Sequence, residues 1–182
     1  MPGMDDTPAA AGSHERETRV YVGLGSNLGD RAGNLLVGVR GMLDAGLPVA
    51  RLSSVYETEP VGVMGQPRFL NMVAELSGPL PAPEQLLARL LRIEYAAGRT
   101  REVARGPRTL DLDLLLYGGH EQRTELLTLP HPRLHLRRFV LTPLAELIPE
   151  GTHPALQQTF AQLLAAVDDT AAVTRWLPTG LI

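Results

Sequence analysis

The segment Gly106-Pro107-Arg108-Thr109-Leu110-Asp111-Leu112-Asp113-Leu114-Leu115-Leu116-Tyr117 constrains the fold of this chain more than any other. Apolar and polar residues alternate along it, the period-two pattern of a strand that buries one face. Leu110, Leu112, Leu114 and Leu116 fall on the side toward a core, and Thr109, Asp111 and Asp113 on the other. Strand rise sets the two carboxylates about 7 Å apart. Repulsion at that distance, and the poor strand propensity of Asp, make a bare pair unfavourable. A hard cation between them resolves the conflict, and an oxygen-only ligand set suits magnesium. For the Asp-x-Asp pattern taken alone, a solvated edge face is the competing explanation.

Other segments supply neighbours for this strand. Residues 20–24 form a β-branched run, followed by the turn cluster Gly25-Ser26-Asn27-Leu28-Gly29-Asp30, with Asp30 or a neighbour placed to cap a helix. Leu35, Leu36, Val39, Met42 and Leu43 mark that helix's apolar stripe, which stops near Gly46. The glycine-rich turn admits a phosphate cradle, but a tight turn is the simpler reading. Without full Gly-x-Gly-x-x-Gly spacing or a suitable acidic ribose ligand, a dinucleotide site is disfavoured. A second strand is expected over residues 51–56, then a connection interrupted by Pro60, Gly62, Gly65 and Pro67. In the next strand, residues 69–76, Leu70, Met72, Ala74 and Leu76 face the core and Phe69 and Asn71 face away.

Pro83 suits the first turn of a second helix, buried along Leu86, Leu90, Ile93 and Ala97 and ended at Gly98. Residues 99–105 then carry Arg99, Arg101 and Arg105 directly ahead of the Asp pair, as an anion clamp would. Beyond it, residues 126–129 suggest a partner strand. Thr142-Pro143 suits a helix start, with Leu144 and Leu147 buried, and a last helix follows through Leu156, Phe160, Leu163, Leu164 and Val167. Residues 173–177 are expected to form a closing strand or to pack over the core. The order strand-helix-strand-strand-helix-strand fits a split βαβ sandwich, an α+β fold with an antiparallel-rich sheet. Helices cover one face, the other is functional, and additional helices follow at the C-terminal side.

All 17 basic residues are Arg, so a Walker-A lysine and Schiff-base catalysis are both excluded. Cysteine is absent, which removes thiolate chemistry and cysteine-ligated zinc. A net charge of -3 makes no case for nucleic acid. No apolar run approaches a membrane span, and residues 1–18 lack the apolar core of a signal peptide. The expectation is a flexible tail over 1–18 and a single domain over 19–182, cytoplasmic and monomeric, with no membrane or nucleic-acid partner.

Several stretches together resemble the 6-hydroxymethyl-7,8-dihydropterin pyrophosphokinase family of folate biosynthesis. They are Gly25-Ser26-Asn27-Leu28-Gly29, Ser53-Ser54-Val55-Tyr56 with Thr58 and Pro60, Phe69-Leu70-Asn71, and Gly98-Arg99-Thr100-Arg101. Gly106-Pro107-Arg108-Thr109-Leu110-Asp111-Leu112-Asp113 follows, then Pro130-His131 with Arg137 and Phe139. The resemblance implies a ferredoxin-like βαββαβ sandwich and pyrophosphate transfer from ATP to the pterin hydroxymethyl group, releasing AMP. It implies that Asp111 and Asp113 bind two Mg2+ ions on the ATP phosphates, orienting the β-phosphorus for in-line attack, with Asp113 nearest the nucleophile. By the same resemblance, Thr58, Val61, Phe69, Asn71 and Phe139 form the pterin pocket. Glu94, Arg99, Arg101, Arg108, Thr128, His131 and Arg137 match ATP-side positions. Arg99, Arg101, Arg108 and Asp113 match positions with catalytic roles.

This chain departs from the family pattern at Ala104-Arg105, where many members carry Arg-Trp, and at Pro132, where a tyrosine is common. Phe69 replaces a Tyr of some members and keeps the stacking face; Leu126 replaces an Arg. Two other classes compete. A sensing or RNA-binding module on the same fold predicts exposed aromatics and a basic surface, against an acidic balance here. A metal-dependent phosphohydrolase needs further His or Asp ligands near the pair, and His120 and His135 are isolated in sequence.

Overall fold

A computed structural model of the chain describes residues 18–60, 65–98 and 106–178. The expectations for the tail and for Val61, Arg99, Arg101, Ala104 and Arg105 lie outside the described residues. The strands are β1 (Arg19–Ser26), β2 (Val49–Leu52), β3 (Tyr56–Thr58), β4 (Phe69–Ser77), β5 (Asp111–Tyr117), β6 (Gln122–Arg123), β7 (Thr128–Leu129) and β8 (Val173–Arg175). The helices are α1 (Arg31–Asp44), α2 (Pro83–Ala96), α3 (Arg138–Leu147) and α4 (Phe160–Ala166). The main sheet runs β5-β1-β4-β3-β8, with β2 also paired to β4. Counting β2 and β3 as one broken strand, this is the antiparallel split βαβ order expected of a ferredoxin-like sandwich.

The break in the second strand has a local cause. Ser53 donates its backbone N–H to the Val73 carbonyl at 2.9 Å, while its hydroxyl accepts the Val73 N–H at 2.9 Å. The hydroxyl thus takes a place that a backbone carbonyl would hold, and the expected continuous strand over 51–56 divides. β8 closes the far edge on β3, and the Trp176 N–H continues the contact to the Val55 carbonyl at 2.8 Å.

α1 and α2 pack on one face of the sheet against Val22, Leu24, Leu70, Met72, Leu110 and Leu112. The Asp30 side chain caps α1 by accepting the Gly33 N–H at 2.9 Å. A Cβ on Gly33 would lie 2.2 Å from that carboxylate, so a side chain there would make the Asp30 cap shift. The buried stripe of α1 runs through Leu35, Gly38 and Met42. Leu36 and Leu43, expected within it, are 67% and 49% exposed. α2 buries Leu86, Leu90 and Ile93 as expected, and also Glu94.

Two other expectations shift. Leu116 leaves the helix-side core, because β5 pairs Leu114 with Val22 but Leu116 with Tyr21, so Leu115 is the extra residue of a bulge. Leu115 and Leu116 then both join Tyr21 and Val73 on the second face, under α3 and α4. Those C-terminal helices settle on half of the face expected to be functional and leave the other half open. α3 starts at Arg138 rather than at Thr142-Pro143, with Pro143 inside it. Leu156 lies outside α4 and is 41% exposed; the capping box at Thr159 starts that helix. No helix among the described residues is long and apolar enough to cross a membrane.

Candidate active site

On the open half of the second face, one row of residues crosses the sheet. Asp111 on β5 pairs with Gly25 on β1, Gly25 with Asn71 on β4, and Asn71 with Tyr56 on β3. In the next row, Asp113 pairs with Gly23 and Gly23 with Val73. The glycines keep the floor between the carboxylates and Asn71 low. A Cβ on Gly25 would come within 2.8 Å of the Asn71 side-chain oxygen. The Asn71 amide donates to the Thr58 hydroxyl at 2.7 Å, which orients both buried side chains. Above this floor lies a cavity of about 670 Å³, within the range typical of small-molecule sites.

Its lining joins most of the residues singled out in the sequence. Thr58, Phe69, Asn71, Glu94, Arg108, Asp111, Asp113, Thr128, His131, Arg137 and Phe139 all border it. Val61, Arg99 and Arg101 lie outside the described residues. The pterin-side expectations collect around β3, β4 and Phe139, and the ATP-side expectations around β5 and the segment after β7.

Charge is concentrated at the β5 end. The Arg108 guanidinium bonds the Asp111 carboxylate. Arg137, just before α3, has its guanidinium carbon 5.5 Å from the Phe139 ring centroid. Burial, and then Arg133 beside it, push the Arg137 pKa down, while Asp113 and Asp111 pull it up. His131 is held by its own N–H on the carbonyl of the bulge residue Leu115, at 2.9 Å. Burial lowers its imidazole pKa to about 4, assisted by Arg137 and Arg133 and opposed by Asp111. It is therefore neutral at pH 7. Its Nδ1 accepts the Arg133 N–H at 3.2 Å, so the ring proton sits on Nε2.

Two residues secure this arrangement in ways the pattern of the sequence did not show. The first is Glu94, matched above to a nucleotide-side position. It is buried on α2, and its Oε1 accepts the Leu112 N–H at 2.7 Å. β5 is an edge strand, so that N–H faces away from the sheet and Glu94 supplies its acceptor. Leu112 lies between the two aspartates, and Glu94 holds the strand on which both depend. The second is Asn27, 1% exposed. Its Oδ1 accepts the Arg108 N–H at 2.7 Å, and its amide donates to Gln66 Oε1 at 3.2 Å and the Pro67 carbonyl at 3.3 Å. One side chain thereby joins the start of the Asp strand to the connection before β4. The glycine-rich turn is a structural turn: Asn34 bonds Ser26 and Leu28 across it, and beyond Gly25 none of it borders the cavity.

The donor set suits magnesium. Among the described residues, no three His, Cys, Asp or Glu side chains cluster as a complete metal cage. Two carboxylates on one strand face are what magnesium uses when water and phosphate oxygens fill its other positions.

Residues 21–149 match the family described as 7,8-dihydro-6-hydroxymethylpterin-pyrophosphokinase. The chain belongs to this family. A Bacillus subtilis 2-amino-4-hydroxy-6-hydroxymethyldihydropteridine pyrophosphokinase is 43% identical over 157 residues, covering 86% of this chain and 89% of that one. A Pisum sativum mitochondrial folate synthesis bifunctional protein is 43% identical over 133 residues, covering 73% of this chain but 26% of its own length. Among solved structures, a Plasmodium falciparum HPPK-DHPS matches with a TM-score of 0.65 at 15% identity, over 84% of this chain and 46% of that one. At that identity the structural likeness speaks for the fold. This family member therefore spans nearly the length of its bacterial relative and less than half of either bifunctional chain.

Proposed function

We propose that this chain transfers pyrophosphate from ATP to the hydroxymethyl group of 6-hydroxymethyl-7,8-dihydropterin, releasing AMP, in folate biosynthesis. Beside family membership, the single observation that carries the reading is the sheet row Asp111–Gly25–Asn71. With Asp113 in the next row, it puts a carboxylate pair and the amide oriented by Thr58 on one flat floor, two strand spacings or about 10 Å apart, as phosphate chemistry beside a heterocycle would need. Asn71 and Thr58 bond the pterin edge, Phe69 and Phe139 stack on its faces, and Val61 completes that pocket.

On the other side, Glu94, Arg99, Arg101, Arg108, Thr128, His131 and Arg137 receive ATP. Asp111 and Asp113 would hold two magnesium ions, which supply Lewis-acid charge neutralisation and a template for the triphosphate. Arg108 exchanges its bond to Asp111 for phosphate oxygen as the nucleotide arrives. His131, with its proton on Nε2, donates a hydrogen bond to phosphate. Arg137 adds fixed positive charge where negative charge develops during transfer. The pterin hydroxyl oxygen bonds to the β-phosphorus as the bond from that phosphorus to the bridging α-oxygen breaks, leaving AMP. The hydroxyl proton passes to the Asp113 carboxylate.

Incubation with ATP, magnesium and 6-hydroxymethyl-7,8-dihydropterin tests this reading. AMP and a pyrophosphorylated pterin are expected in equal amounts. ADP, or free phosphate without pterin modification, would overturn it.

A further inference from the structure

Arg31, the first residue of α1, does not border the cavity, yet it grips the hairpin that carries the pterin side. Its Nη1 donates to Glu57 Oε1 at 2.9 Å and to the Arg68 carbonyl at 2.8 Å. Those acceptors stand at the two ends of the β3–β4 connection, since Glu57 pairs with Leu70 and Thr58 with Phe69. Leu70 belongs to the helix-side core, so Glu57 points toward α1 while Thr58 points into the cavity. One guanidinium therefore closes the mouth of the connection from behind the site. The Arg31 and Glu57 side chains are 28% and 27% exposed, so water competes only partly for the pair. Arg68 adds weaker attractions to Glu57 at 3.8 Å and Glu59 at 3.5 Å.

The hairpin needs such a clasp. β3 is three residues long, and its backbone bonds to β4 and β8 are few. Thr58, Phe69 and Asn71 share its alignment, and Glu59, Pro60 and Gln66 from the connection also border the cavity. We propose that Arg31 is a positioning residue that sets the pterin half of the site by locking both ends of this connection to the N-terminus of α1. The proposal rests on the pterin reading above and goes beyond it in assigning a determinant of pterin affinity outside the pocket. Bonds to one ionised donor from a carboxylate and a carbonyl are among the stronger hydrogen bonds, so their loss is felt where the hairpin's geometry is used.

The test compares wild type, Arg31→Ala, Arg31→Lys and the double variant Arg31→Ala/Glu57→Ala as full-length chains. Dihydropterin affinity is titrated with a non-hydrolysable ATP analogue and magnesium present; analogue affinity is titrated separately, and melting temperatures are recorded. Arg31→Ala is expected to weaken pterin binding about 5- to 10-fold while ATP-analogue affinity stays within about twofold, a split of the size seen for coupled neighbours. Arg31→Lys restores part of the loss, because an ammonium can also donate to both acceptors. The double variant is expected to match Arg31→Ala, since one clasp is broken in both. Unchanged pterin affinity in Arg31→Ala overturns the clasp while leaving the pterin reading intact. Equal loss of both ligands also overturns it, as a general structural effect. A wild type that binds no pterin overturns both readings.

Discussion

Glu75 and Asp111 both project from the face of the sheet opposite α1 and α2, one from β4 and the other from β5, and their surroundings differ. The Glu75 side chain is 4% exposed and accepts the Tyr21 hydroxyl at 2.9 Å and Arg51 Nε at 3.1 Å. Arg51 also donates to the Leu147 carbonyl at 3.2 Å, which ties the cluster to the end of α3. Burial pulls the Glu75 pKa upward, but the bonds from Arg51 and Tyr21 outweigh it and hold the carboxyl below its ordinary value. Glu75 is not among the residues that line the site cavity. Asp111 is 16% exposed, is bonded to Arg108, and opens with Asp113 onto the cavity. The first carboxylate is satisfied by permanent protein partners and serves the fold. The second is paired with Arg108 at the edge of the cavity, and its row neighbours are glycine and an oriented amide rather than another helix.

The sharpest way to break this comparison exchanges the damage between the two sites. On the proposed reading, in which the pair would hold magnesium, Asp113→Ala is expected to lower turnover by about 10³-fold or more, since several kcal/mol of charge stabilisation would go with it. Its melting temperature should stay near wild type. Glu75→Ala should do the reverse, keeping turnover per folded molecule while losing about 1–3 kcal/mol through the orphaned Tyr21 hydroxyl. For a domain of this size that is a fall of roughly 3–10 °C, read by thermal melting. An active Asp113→Ala enzyme, or an inactive but fully stable Glu75→Ala enzyme, would remove the distinction.

A smaller effect sharpens the catalytic side. Glu94→Ala leaves the Leu112 N–H without its acceptor and loosens β5 between the aspartates. Groups that orient metal ligands typically change affinity about 10- to 100-fold, and a shift in the magnesium dependence of turnover within that range is expected. Glu94→Gln keeps an acceptor oxygen and should recover most of it. If ATP affinity moves and the magnesium requirement does not, Glu94 acts on the nucleotide alone.

The two sites also differ in how far the sequence discloses them. The alternation in residues 110–114 was enough to place both aspartates on one face, and the alternation in 69–76 did the same for Phe69 and Asn71. The Leu115 bulge was not legible, because Leu114-Leu115-Leu116 is apolar throughout and period-two information vanishes there. The same ambiguity hid which half of the second face α3 and α4 would cover. Glu94 occupied a helical position with no pattern to mark it as buried; its role depends on an edge strand that pairing alone reveals. Arg31 and Glu57, 26 residues apart, look like ordinary surface charges until the topology brings α1 beside β3. Side chains that recur with the local period are readable, and those that close long-range contacts are not.

The smallest predicted effect concerns pH at the structural carboxylate. Burial, the hydrogen bond to Glu75 and its negative charge raise the Tyr21 pKa from 10.0 to about 12. The folded state thus favours the protonated phenol more strongly than the unfolded chain does. Its contribution to stability is fully present below pH 10 and is lost as pH rises toward 12. Glu75 has the opposite sign: its depressed pKa contributes stability above the ordinary value of 4.5 that is lost as pH falls below it. Tyr21→Phe removes the phenol titration and one bond to Glu75, costing about 0.5–1.5 kcal/mol near neutrality. Tyr56, also raised by burial and by Glu146, titrates in both proteins, so the informative quantity is the difference in melting temperature between wild type and Tyr21→Phe. That difference should shrink between pH 10 and 12 and again below pH 4.5, and be largest between. A difference that stays level from pH 9 to 12 would mean that neither burial nor Glu75 raises the Tyr21 phenol pKa, and the Glu75 carboxylate would then be held by Arg51 and Arg19.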